Sequence, residues 1–292
     1  MSGMDETTDF DPLWDYDHPA QTETLFRERL AEAAPHTSYT AQLLTQIART
    51  QGLQRQFAAA HETLDTAEAM LQPDWPRARV RYLLERGRVY NSARHPEEAR
   101  PLFLTAWEEA SAAGEDFYAI DAAHMMGIIE PPAAQMAWNL QAVALAEQTN
   151  DARARNWLGS LYNNMGWSWH DQEDYVQALA YFEKALAWRK QQGGRAQIRI
   201  ARWCVARALR SLGEVETALA MQRELMAEYE AAGEPGMYVL EEIAECLHAL
   251  QRNPEEARRT FALAYAQLSQ DPWLVANEPE RLARLRQLGG VV

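Results

Sequence analysis

Cysteine is almost absent from this 292-residue sequence: Cys204 and Cys246 are the only two, and they cannot make a disulfide framework. Their scarcity fits a reducing compartment, and both read as helix-packing thiols. Lysine is equally scarce. Of 28 basic side chains only Lys184 and Lys190 are lysines, leaving 26 arginines. A GC-rich coding sequence produces that bias by itself, yet arginine is also the side chain suited to forked contact with carboxylates. Net positive charge is missing too, and a balance of −14 argues against nonspecific binding of nucleic acid or of an anionic membrane. No run approaches the ~18 apolar residues needed to span a bilayer. The opening MSGMDETTDF has neither a basic n-region nor an apolar h-region, so it does not read as a secretory signal, and a cytoplasmic location is expected.

Catalytic motifs are incomplete wherever they begin. His61-Glu62 is followed by Asp65, so the second imidazole of a zinc-peptidase helix is lacking. Gly159-Ser160 lacks the second glycine of a nucleophile elbow, and Gly193-Gly194 has no phosphate-binding lysine and Ser/Thr after it. His124, His170 and His248 fall on first helices of different units and would meet only in a tight superhelix. The expectation is therefore no catalytic residue, no metal site and no cofactor. An enzyme or metal-binding protein on a helical scaffold is kept as the second alternative.

What is present is helical periodicity, with 47% hydrophobic residues to build a core. It is clearest from Trp157 to Trp188. Tyr162, Met165, Gly166 and Trp169 fall at i, i+3, i+4 and i+7, one apolar face with a small residue at its centre. Asp171 to Asp174 make a turn, and Tyr175, Ala178, Leu179, Phe182, Ala185 and Leu186 form the facing stripe of a second helix. The pattern repeats: PEEARPLF at Pro96 recurs as PEEARRTF at Pro254, 158 residues later, or four steps of about 40. Ala60, Ala99, Ala178, Ala218 and Ala257 mark the same place in second helices, and the unmarked step falls near Asn139.

The order of aromatic, glycine, aromatic, then alanine, phenylalanine, alanine resembles the tetratricopeptide repeat. The longer step resembles the repeats of kinesin light chains and of peptide-sensing bacterial regulators. The resemblance implies an all-α, right-handed superhelical α-solenoid of about six helix-turn-helix repeats, with N- and C-terminal capping helices. The expected hairpins are 37–72, 74–113, 115–149, 151–192, 195–232 and 235–269. An acidic, irregular segment (1–19) and a capping helix (20–35) precede them, and a capping segment (270–292) follows. In that last segment Pro279 starts a helix with Leu282, Leu285 and Leu288 inward. The third repeat, which keeps Gly127 but has no clear phenylalanine, has the least defined register.

The resemblance further implies that the first helix of each pair lines a concave groove and that its non-core face carries ligand contacts. Counting along the helices puts Arg49 with Gln46 on that face in the first hairpin, and Arg81, Leu84, Arg88 and Asn91 in the second. Asp121 and His124 follow in the third. Ser160, Asn163, Trp167 and His170, beside Asn164, follow in the fourth, and Arg199, Trp203, Arg207 and Arg210 in the fifth. The expected partner is a protein or peptide, an acidic peptide among the candidates, held by aromatic contact and arginine–carboxylate pairing. Glu85, Glu241, Glu242 and Glu245 are acids of the chain that could instead pair with these arginines. A ligand- or peptide-sensing regulator is the first alternative to a scaffold. The acids and aromatics of residues 1–18 complement such a groove and could occupy it.

Overall fold

The computed structural model describes residues 10–291, and among them there is helix and no strand. The chain divides between Trp157 and Leu158 into two compact units. No helix among the described residues is long and apolar enough to cross a membrane.

The first unit opens with a 3₁₀ turn at Asp11–Leu13 and helix α1 (Pro19–Glu32). Three hairpins follow: α2 (Ser38–Leu53) with α3 (Phe57–Glu68), α4 (Pro76–Ser92) with α5 (Pro96–Ala113), and α6 (Asp116–Ile129) with α7 (Pro132–Gln148). The four-residue α8 (Ala152–Arg155) closes the unit. The second unit holds α9 (Leu158–Asp171) with α10 (Tyr175–Gln192), α11 (Arg195–Ser211) with α12 (Val215–Ala232), and α13 (Met237–Leu250) with α14 (Pro254–Leu268). Two short helices, α15 (Pro272–Asn277) and α16 (Pro279–Gly289), complete it. Both PEEAR motifs start helices, α5 and α14. Their prolines occupy the first turn, where the missing N–H costs nothing, and their paired glutamates face the positive end of the helix dipole.

The fourth hairpin differs from the expected 151–192. Asp151 caps the separate α8 by accepting from the Arg153 N–H, the chain turns at Asn156–Trp157, and the long first helix begins only at Leu158. The extra turn lies outside the 40-residue period, which is why counting missed it.

Two of the hairpins close around an aromatic ring laid on a glycine. Phe103 covers Gly87 and Phe182 covers Gly166, so closely that a methyl group on Gly166 would stand 2.4 Å from two carbons of the Phe182 ring. Phe261, at the same step of α14, is equally buried. In α7 the step belongs to Val143, while buried Asn139, one turn earlier, takes the alanine's place and lays its amide oxygen over Gly127. In α12 it belongs to Gln222, fully buried, with no hydrogen-bond partner at either amide atom. In the C-terminal cap, Leu282 and Leu285 of α16 are buried against Phe261 and Ala264, while Arg281 pairs with Glu241 and Arg284 with Glu245.

Candidate functional site

In the first unit α2, α4 and α6 lie side by side, and their non-core faces line a cavity of about 190 Å³. Gln46 and Arg49 come from α2, Arg81, Leu84, Glu85 and Arg88 from α4, and Phe117, Tyr118 and Asp121 from α6. This brings together six residues expected on the groove face, Gln46, Arg49, Arg81, Leu84, Arg88 and Asp121. His124 does not line the cavity. It packs on Trp157 with ring centroids 5.2 Å apart, and burial holds its imidazole below the usual pKa, so it is neutral at pH 7.

The N-terminal segment crosses this face. Phe10 is fully buried with Phe26, Leu43 and Ile47. Asp11 accepts from Arg81 Nη2 at 2.7 Å and from Arg153 Nη2 at 2.8 Å. Trp14 donates from Nε1 to Gln46 (3.0 Å) and stacks on Tyr16, and the Arg49 guanidinium lies 5.7 and 5.5 Å from the two rings. Residues 10–16 thus form a strap, irregular apart from its 3₁₀ turn, tied to the face by one carboxylate and three aromatic rings. Residues 1–9, with the acids Asp5, Glu6 and Asp9, lie outside the described residues.

Charge at the cavity is nearly balanced: four guanidinium groups (Arg49, Arg81, Arg88, Arg153) face three carboxylates (Asp11, Glu85, Asp121). Glu85 is shared between Arg49 (3.1 Å) and Arg88 (2.7 Å), and Arg88 also reaches Asp121. Burial works against the charged form of Arg81, yet Tyr118, Asp11 and Glu85 around it hold its pKa above the ordinary arginine value. Its hydroxyl partner Tyr118 accepts from Nη1 at 2.8 Å, while its Nε, like that of Arg49, is buried with no hydrogen-bond partner among the described residues. The arrangement is a frame of guanidinium groups with one more positive than negative charge. Such a frame suits carboxylates, since paired N–H donors match two oxygens at once.

The other expected residues lie in the second unit. Trp167 and Trp203 approach to 5.9 Å between ring centroids, and the Trp203 indole donates to the Tyr238 carbonyl oxygen (3.1 Å). His170 shares a hydrogen bond with Ser211, and burial beside Arg207 lowers its pKa. Asn163 accepts from the Cys204 thiol, and Asn163 and Asn164 line a cleft with Arg189. Arg207 and Arg210 are not free: Glu242 takes Arg210 in a forked pair (2.8 and 3.0 Å) and Arg207 at 3.2 Å. Arg199 is buried, stacked on Tyr229 and paired with Glu234. Sequence reasoning missed Phe117, Tyr118, Arg153 and Trp157. The last two belong to the extra turn at α8, which no repeat contains, so only their residue types gave a signal.

The solved structures of similar shape decide the fold. A signal transduction ATPase with numerous domains that carries a tetratricopeptide repeat sensor, PH0952 from Pyrococcus horikoshii, superposes with a TM-score of 0.72 at 15% identity over 92% of this chain. The fold is that of the tetratricopeptide-repeat proteins. Other tetratricopeptide-like matches include the apo form of RapI (TM-score 0.70, 14% identity, 94% of this chain and 77% of RapI). NprR in complex with its cognate peptide NprX matches at a TM-score of 0.55 and 15% identity, over 91% of this chain and 78% of NprR. The chain spans only 44% of the PH0952 protein. No protein-family model and no curated relative matches the sequence.

Proposed function

We propose that the chain is a protein-interaction module whose first unit takes an acidic peptide on the face formed by α2, α4 and α6. One observation carries this reading: four arginines converge on a single cavity in a protein whose net charge is −14. The three carboxylates leave one guanidinium charge without a counter-charge in the cavity, which one carboxylate of a ligand would supply. The NprX peptide bound to NprR supports a peptide as the ligand class for this fold. Recognition would combine forked arginine–carboxylate bonds with contact to Trp14, Phe117 and Trp157, which line the same cavity. The strap shares the face, so a long ligand has to displace it, whereas a single side chain has to enter beside it.

The test is a fluorescence-anisotropy titration with a labelled ten-residue peptide of Glu, Ser and Tyr and its Gln-for-Glu counterpart, at two salt concentrations. Arg153→Ala and Arg49→Ala are the informative variants, because both side chains are partly exposed and their loss spares the buried Arg81. Each should weaken binding of the acidic peptide about tenfold, the worth of one charge-assisted pair. Equal affinity for the Glu and Gln peptides would remove the arginines from the account.

A further inference from the structure

In the second unit Arg199 is paired with Glu234, Arg202 with Glu228, and Arg207 and Arg210 with Glu242. Arg189, in the last turn of α10, is different. It is half-buried, its one hydrogen bond among the described residues runs from Nη2 to Ser160 Oγ (3.1 Å), and no carboxylate is paired with it. Burial accordingly lowers its pKa with no charged group offsetting the effect. The negative end of the α10 dipole accounts for a cation at this position but not for the shape around it.

That shape is a cleft of about 170 Å³ where the start of α9, the end of α10 and the start of α11 meet. Its polar lining consists of Ser160, Asn163, Asn164 and Gln197, all uncharged, so Arg189 is the single charge in it. Gly159 makes room for the guanidinium to lie against α9: a methyl group there would stand 2.5 Å from both Cζ and Nε of Arg189. The Asn163 amide oxygen is engaged by the Cys204 thiol, which leaves its NH₂ group to donate.

We propose that this cleft is an anion site of the second unit that takes one carboxylate of a peptide, with Arg189 as the counter-charge and Ser160, Asn163 and Gln197 as hydrogen-bonding neighbours. A monoanion neutralises the single guanidinium, whereas a phosphate dianion would leave one charge uncompensated in a half-buried cleft. The volume admits a terminal group and excludes a folded segment. The carboxylate comes either from a chain end or from an Asp or Glu side chain. This site is separate from the first-unit face and stands without it.

The experiment is an NMR shift titration of the full chain with three N-acetylated pentapeptides: one ending in a free carboxylate, its C-terminal amide, and an amidated one with a central Asp. Inorganic phosphate is the fourth probe. Binding of the first or third peptide, with shifts at Ser160, Asn163 and the Arg189 Nε–H, is expected, and whichever binds tighter identifies the source. Arg189→Gln should weaken it about tenfold, and Arg189→Lys, which keeps the charge but loses the fork, should fall between. Shifts at Ser160, Asn163 and the Arg189 Nε–H report this cleft alone, while Arg49 and Arg153 report the first-unit face, which separates the two sites. Equal affinity of Arg189→Gln and wild type, equal binding of the neutral amide, or tighter binding of phosphate would overturn the assignment. Arg189→Lys carries the test alone should Arg189→Gln unfold.

Discussion

Gln222 stands where Phe103, Phe182 and Phe261 stand in other hairpins, and its buried amide satisfies neither its oxygen nor its nitrogen. An unpaired buried amide costs on the order of 1–3 kcal/mol, so Gln222→Leu, nearly equal in volume, should stabilise the protein by about 1–2 kcal/mol in urea denaturation. A destabilised variant would mean that Gln222 has a partner in solution. The two thiols are the converse case. Cys204 and Cys246 are buried, and burial pushes both up to about 12, so they are protonated packing groups at neutral pH. Residue type alone suggested that for the cysteines. For the arginines it could not separate paired from free, because Arg207 and Arg210 owe their neutralisation to Glu242, more than thirty residues away in sequence.

Within a helix pair, the contact that closes α4 on α5 and α9 on α10 is a ring on a bare backbone. In the α9–α10 pair, Gly166→Ala would push its methyl into the Phe182 ring and should cost about 1–3 kcal/mol, the usual penalty for overpacking. Phe182→Ala empties the same space and should cost about 3–5 kcal/mol. Since both act on one contact, the double variant should cost less than their sum in a thermal or urea melt. Additivity would show that the ring and the glycine do not meet. This pairing was legible in the sequence because Gly166 and Phe182 sit in a full helical pattern. Two features were not legible. Asn139 replaces an alanine where the pattern gave no marker, and α8 adds a turn between periods. Periodicity reports elements that share a face, so a single helical turn held by one aspartate cap leaves no periodic trace.

Across the whole molecule, the all-α repeat fold was readable because its signal recurs in five of the six steps, and each recurrence tests the others. The proposed face was readable only in part. Helical counting placed Arg49, Arg81 and Arg88 on the exposed side of successive first helices, and the structure gathers them at one cavity. It could not foresee that Asp11 of the strap would hold Arg81 across 70 residues of sequence, since no local rule links an irregular segment to a helix so far along the chain. The direct test of the central claim is hydrogen exchange by mass spectrometry, with and without the acidic Glu/Ser/Tyr peptide. Binding on the first-unit face should slow exchange in α2, α4 and the first half of α6, speed it at residues 10–17 as the strap is displaced, and leave α12 to α14 little changed. Protection confined to the second unit, or none at concentrations that saturate binding, would contradict it.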